Sequence, residues 1–171
     1  MIYVDIVSDT ICPWCYIGKR RFESALDISG RNDVAISWRP FQLNPDMPSE
    51  GMTRDDYVRA KFGGGDRPRQ IYQAIAESGR EAGIEFQFSR IRRTPNTVLS
   101  HRLIFWSAKQ ERQEEVVASD VYARRLGING VPCFIVNRKY AVSGAQPPSA
   151  FVEVFNLAER DAATSTVQSI A

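Results

Sequence analysis

The chain has 171 residues, 43% of them hydrophobic, and its 22 basic side chains nearly balance 20 acidic ones for a net charge of +2. Such a chain can bury one good core, about 70% of the surface that its unfolded form exposes, while the charge balance excludes a strong global pull on nucleic acid. No run approaches the ~20 apolar residues of a membrane-spanning helix, and three cysteines cannot make the framework of a disulfide-stapled scaffold.

In chain order, Met1-Ile2-Tyr3-Val4-Asp5-Ile6-Val7 alternates Ile2, Val4 and Ile6 with Tyr3 and Asp5, which predicts a strand ended by Ser8-Asp9-Thr10. Met1 enters this strand at once, without the basic and apolar regions of a leader, so the cytoplasm is the expected location. A helix is predicted next, with Cys15, Gly18, Phe22, Ala25 and Leu26 on one face. Between strand and helix stands Cys12-Pro13-Trp14-Cys15. Pro13 suits a first helical turn, whose N–H groups lack intrahelical partners. Those free N–H groups and the positive end of the helix dipole favour a thiolate at Cys12. Cys12 is expected to be the more exposed, attacking thiol, and Cys15, one turn deeper, to attack the resulting mixed disulfide. The competing reading is zinc, for which the available ligands are Cys12, Cys15, Cys133 and the single histidine, His101. With two ligands on one turn and no second close pair, that is a poor tetrahedral framework, and no metal is expected.

Ser29-Gly30-Arg31-Asn32-Asp33 reads as a turn and Val34-Ala35-Ile36-Ser37-Trp38-Arg39 as a second strand, completing a βαβ unit with parallel strands and a right-handed crossover. Lys19-Arg20-Arg21 and Arg90-Ile91-Arg92-Arg93 read as solvated faces rather than phosphate tracks. From Thr53 to about Val117 the pattern is helical: a segment near 55–62, a break at Gly63-Gly64-Gly65, a face shared by Ile71, Ile75 and Ala76, and another shared by Leu99, Leu103 and Trp106. The glycine triplet lacks the following G-K-[ST] of a phosphate loop. Thr94-Pro95-Asn96-Thr97 resembles a helix entry, with Asn96 or Thr97 able to cap. Cys133-Phe134-Ile135-Val136-Asn137, a tight turn at Arg138-Lys139 and Tyr140-Ala141-Val142 read as a hairpin. Gly144-Ala145-Gln146-Pro147-Pro148 then leads into a last helix with Phe151, Val154, Phe155 and Ala158 on one face. The segment 161–171 reads as a small, polar tail. The expected organisation is a domain made of 1–52 and 118–160, a helical insertion over 53–117, and that tail.

The order βαβ, helical insertion, ββα, with C-x-x-C at the first helix start, resembles the α/β thioredoxin fold in its DsbA-like form. Ser8-Asp9-Thr10-Ile11-Cys12-Pro13-Trp14-Cys15, Trp38-Arg39-Pro40-Phe41-Gln42-Leu43, Arg93-Thr94-Pro95-Asn96-Thr97, Gly130-Val131-Pro132 and Val142-Ser143-Gly144-Ala145-Gln146 together resemble the FrnE-type branch of cytoplasmic DsbA-family oxidoreductases. The resemblance implies a thiol–disulfide oxidoreductase or isomerase in which Pro132 is a cis-proline facing Cys12 and Cys15. Val131 would pair with an extended substrate, and Pro13 and Trp14 would lie beside it. No cofactor beyond the redox dithiol is implied, and the substrate is a disulfide-containing protein or a small thiol, with neither nucleic acid nor membrane as partner. The chain is expected to act alone or as a homodimer. The same superfamily holds 2-hydroxychromene-2-carboxylate isomerases and kappa-class glutathione transferases, similar in the Thr-Pro-Asn-Thr and Ser-Gly-Ala-Gln regions but generally with serine for the first cysteine. By that likeness glutathione is an alternative co-substrate, with Asn96 and Gln146 lining a pocket over the site. Two positions depart from the family pattern. Cys133 stands where an apolar residue is expected and reads as a small buried hydrophobe, and further helices expected between Val117 and Ala123 do not appear: either the helical cap is truncated, which implies a more open site, or the numbering runs across a further mobile segment.

Overall fold

The computed structural model describes residues 1–63, 65–108 and 114–168. β1 (Ile2–Ser8) lies between β2 (Val34–Pro40), its parallel neighbour, and β5 (Cys133–Val136), which runs antiparallel to it. β6 (Tyr140–Ser143) completes the order β2-β1-β5-β6. The β1–β2 register starts at Ile2 opposite Val34, so the βαβ unit is formed as its pattern predicts. Its helix, α1 (Pro13–Ser29), ends where Gly30 takes a positive φ of 62° and its N–H caps the Asp27 carbonyl.

One sheet face carries the larger core. Ile2, Val4 and Ile6 of β1 pack with Phe134 and Val136 of β5, Phe22 and Ala25 of α1, and Phe151, Phe155 and Ala158 of α6 (Pro148–Gln168). Phe22 stacks on Phe134 at 5.4 Å and meets Phe151 and Phe155 edge-on. Because successive strand residues face opposite sides, Val7 and Cys133 point the other way, into a smaller core with Phe41 and Ala123. Ala123 belongs to α5 (Glu114–Arg125). Arg124 of that helix covers the Phe41 ring at 4.3 Å and donates to the Gln42 carbonyl at 2.6 Å. Asp120 pairs with Arg124 at 2.9 Å and accepts the Gln42 N–H at 2.8 Å. The Phe41-Gln42-Leu43 segment is thus fixed where β2 ends.

Between β2 and α5 stand α2 (Arg54–Phe62), α3 (Arg67–Glu81) and α4 (Val98–Ala108), joined at their base by a two-residue antiparallel ladder of β3 (Met52–Thr53) and β4 (Arg93–Thr94). Gly51 lets β3 approach β4: at φ 71°, a Cβ there would fall 2.4 Å from the Thr94 carbonyl oxygen. Gly63 caps α2, and Gly64 lies outside the described residues.

Several details differ from the sequence pattern. The β5–β6 turn centres on Asn137 and Arg138, both at positive φ, rather than on Arg138-Lys139. Asn137 tolerates that conformation, and its Oδ1 accepts the Tyr3 N–H while its own N–H donates to the Tyr3 carbonyl, both at 2.8 Å. The last helix runs on to Gln168 through the first part of the segment read as a tail, and Asp161 on it meets Lys139 and Tyr140. α5 runs unbroken through Val116 to Val121 and across the expected boundary at 117/118. The Leu99, Leu103 and Trp106 stripe of α4 faces outward, 69%, 63% and 64% exposed, because the helix packs through His101 instead. Arg21 is no solvated face either. It donates to the Ala145 carbonyl at 2.6 Å and to Ser78 at 2.9 Å, and pairs with Glu81 at 3.1 Å, tying α1 to α3.

Candidate active site

Cys12 is the N-cap residue of α1 and makes no side-chain cap of its own; Pro13 follows as the first helical residue. The Cys12 N–H donates to the Asp9 carbonyl at 3.1 Å, and the Cys12 carbonyl accepts the Cys15 N–H at 3.1 Å, so one turn places both sulfurs on the same side. All three cysteines are free thiols. At 7% and 6% exposure, Cys12 and Cys15 are equally buried, contrary to the expectation that Cys12 is the exposed one. What separates them is a cavity: Cys12 lines it and Cys15 does not.

The electrostatics also divide the pair. A hydrogen bond from the Cys15 thiol holds Cys12 below the ordinary thiol range, helped by the Cys15 and Trp14 backbone N–H groups and opposed by burial and the Asp9 charge. Cys15 is pushed far up, first by that same bond and then by burial and the charge on Cys12. A low-pKa sulfur at the cavity wall can attack, and a sulfur that keeps its proton waits until Cys12 has lost its charge in a mixed disulfide.

The Val131–Pro132 bond is cis, as the motif implies, and the Val131 carbonyl lies 3.7 Å from Cys12 Sγ. Pro132 is buried and rests against α1 where Gly18 leaves room: a Cβ on Gly18 would fall 2.9 Å from Pro132 Cγ and 3.3 Å from the Phe134 ring. Gly18→Ala is therefore expected to lower stability by about 1–3 kcal/mol through overpacking. The reading is a fall in denaturant midpoint at constant m-value; an unmoved midpoint would mean that the loop has slack.

Behind the dithiol lies a group that the sequence pattern did not single out. Asp9 and His101 side chains are 0% and 4% exposed, with His101 Nε2 3.2 Å from Asp9 Oδ1. The Asp9 carboxylate also accepts the Leu43 N–H at 2.7 Å and the Ile11 N–H at 3.5 Å. Thr10 meets Ser100 of α4 hydroxyl to hydroxyl at 2.6 Å. The loop before Cys12 is thereby held to β2's end and to α4. A lone histidine beside an N-terminal Asp-x-x-Cys was the available signal, but only the fold brings residues 9 and 101 together.

The cavity measures about 540 Å³, within the range of small-molecule sites. Cys12, Pro13 and Trp14 form one end. Rings of Tyr57, Phe62, Tyr72, Phe86 and Phe88 wall it, with Phe86 stacked on Phe88 at 5.0 Å and Tyr72 tilted against Phe88 at 4.9 Å. Arg54, Lys61 and Arg93 supply cations. Of the Arg93-to-Thr97 motif it is Arg93, Thr94 and Pro95 that line it. Asn96 instead donates to the Met47 carbonyl at 2.6 Å and accepts the Val98 N–H at 2.9 Å, capping α4. Gln146 donates to the Ser143 carbonyl at 2.9 Å. Neither lines this cavity.

Cys133 is buried among Val7, Phe41 and Ala123, on the sheet face away from α1, and burial pushes its thiol up. Among the described residues no three His, Cys, Asp or Glu side chains converge on a metal-binding arrangement, and no helix is long and apolar enough to cross a membrane.

Comparison with known proteins agrees with this fold. The family model of the DSBA-like thioredoxin domain matches residues 3–124. A Streptomyces coelicolor protein described as a probable DsbA oxidoreductase superposes with a TM-score of 0.78 at 25% identity, covering 92% of this chain and 90% of that one. The Bacillus subtilis protein YwbO is 43% identical over 102 residues, 58% of this chain and 44% of YwbO, so the match spans less than half of that relative's length.

Proposed function

We propose, from the premise that the chain belongs to the DsbA-like thioredoxin domain family of oxidoreductases, that it exchanges disulfides through Cys12 and Cys15. The observation that carries this reading is the pair of free thiols on one turn at the start of α1, with Cys12 at the cavity wall and 3.7 Å from the Val131 carbonyl. Cys12 thiolate attacks a substrate disulfide, forming a mixed disulfide and expelling one thiolate. Cys15 then gives up its proton, attacks Cys12 sulfur and releases the second thiolate. Two electrons pass to the substrate, and the enzyme is left with a Cys12–Cys15 bond. Run backwards, the oxidised protein donates its disulfide, and alternation of the two directions is isomerisation. Pro13, Trp14, Val131 and Pro132 border the reaction, Val131 offering its backbone to an extended substrate. A cytoplasmic setting, a disulfide-bearing protein or a small thiol as substrate, and action as a single chain or homodimer belong to the same reading. Glutathione is a candidate for resetting the dithiol. A glutathione-dependent isomerase of the 2-hydroxychromene-2-carboxylate type is less favoured, since Asn96 and Gln146 are engaged locally rather than turned to the cavity.

The test is equilibration in graded mixtures of reduced and oxidised glutathione, followed by acid quench and peptide mass mapping. A reversible two-electron transition with Cys12–Cys15 as the sole link, and Cys133 free throughout, is expected. Stable Cys12–Cys133 linkage, or one-thiol behaviour, would overturn the assignment.

A further inference from the structure

We infer that the cavity selects a small disulfide or thiol with an aromatic or otherwise apolar body and a carboxylate, rather than a polar peptide thiol; this rests on the disulfide-exchange reading above. Three observations carry it. The first is position: Cys12, Pro13 and Trp14 close one end, so a molecule held there presents its sulfur to the attacking thiolate. The second is the wall. Between that end and Arg54 the lining is aromatic and aliphatic, contributed by α1, α2, α3 and the loop carrying Phe86 and Phe88, and such a surface rewards stacked rings over a hydrated backbone. The third is charge. Among the described residues no Asp or Glu lines the cavity, although Arg54, Lys61 and Arg93 do.

Arg54 is the sharpest of the three. It is half-buried, and its guanidinium lies 5.3 Å from the Tyr57 ring centre and 4.9 Å from that of Tyr72. Its side chain donates to Thr94 Oγ1 at 3.2 Å, and among the described residues it forms no ion pair. A guanidinium set beside two rings, with one N–H given to Thr94 and a bond to the Tyr72 hydroxyl, keeps further N–H donors for a planar, two-oxygen acceptor, which a carboxylate is. Exchange with such a ligand is balanced as before: Cys12 thiolate takes one sulfur of R–S–S–R and expels R–S⁻, and Cys15 frees the second R–S⁻ as the dithiol loses two electrons.

The experiment uses the whole chain, fully reduced, in single turnover with two aromatic disulfides: dithiobis(nitrobenzoate), which bears a carboxylate on each ring, and the uncharged dithiodipyridine. The ratio of their rates cancels differences in the thiols common to both proteins. Arg54→Gln is expected to lower the anionic-to-neutral ratio about tenfold or more, as loss of a charged hydrogen bond does. Added salt should lower the ratio for the unaltered protein as well, a measurement independent of how well the variant folds. Naphthalene carboxylate, which has no sulfur, should slow alkylation of Cys12 by iodoacetamide, and S-methylglutathione should not. A ratio indifferent to both Arg54→Gln and salt, or protection by S-methylglutathione alone, overturns the inference while leaving disulfide exchange standing. Failure of the reduced protein to react with either disulfide would instead remove the exchange reading itself.

Discussion

Cys12→Ser is expected to abolish disulfide reduction, by at least about a thousandfold, as removal of a nucleophile does. A serine hydroxyl is not ionised near neutral pH and forms no exchangeable bond to sulfur. Cys15 cannot take over, because it does not open onto the cavity and its burial still raises it once the bond to Cys12 and the Cys12 charge are gone. Cys15→Ser should behave differently: the first attack proceeds, and the protein accumulates as a mixed disulfide with its substrate, visible as an added mass removable by dithiothreitol. Alkylation of Cys12 in the reduced protein should follow a titration below that of an ordinary thiol, because the Cys15 thiol donates to the Cys12 sulfur. That titration should move upward in Cys15→Ala, where the thiol donor that does most to hold Cys12 down is lost. Insulin reduction and intact-mass measurement decide the matter. Retained reduction by Cys12→Ser, or trapping through Cys15 instead, would reverse the roles.

Asp9→Ala should lower stability by about 1–3 kcal/mol, the range for leaving a buried hydrogen-bonding group without its partner. The carboxylate accepts from Leu43 and Ile11 and faces His101, and all three would be left without it in a site closed to water. Asp9→Asn keeps an oxygen for the Leu43 N–H and should lose less, even though its amide cannot serve every donor. His101→Ala combined with Asp9→Ala should be markedly sub-additive, since each change already breaks the shared contact. Urea unfolding of the reduced proteins reads these differences. Additive losses would mean that residues 9 and 101 act independently. Loss of the Asp9 charge should also let the Cys12 thiol ionise more readily, since that charge opposes the Cys12 thiolate, whereas the carbonyl of residue 9 keeps its bond from the Cys12 N–H in either variant.

The parts of the molecule legible in the sequence were those written by neighbours in the chain. β1, the proline-started helix and the two cysteines on one turn follow from alternation, from the fixed φ of Pro13 and from helical spacing. The β5–β6 hairpin follows likewise, although its turn slid by one residue because Asn137 both accepts a positive φ and reaches across to Tyr3. The cavity was not legible. Tyr57, Tyr72 and Phe88 come from α2, α3 and a loop, and only their packing on one another reveals a wall. α4 misled for a related reason. Its apolar stripe suggested the buried face, but pairing between His101 and Asp9 turns the opposite face inward. The pattern left Asn96 and Thr97 both able to cap, and only in three dimensions does the Asn96 side chain take the Val98 N–H while holding the Met47 carbonyl.

The tie between α1 and α3 bears on how a substrate arrives. Arg21 joins the helix carrying the dithiol to Ser78 and Glu81 of the helix that walls the cavity, and Ile17 is sealed against Ile75 and Ile84 beneath it. The dithiol is therefore expected to move with α3 rather than against it. On that side of the cavity capture should need no opening step, its rate being set by diffusion, orientation and the field of the basic side chains.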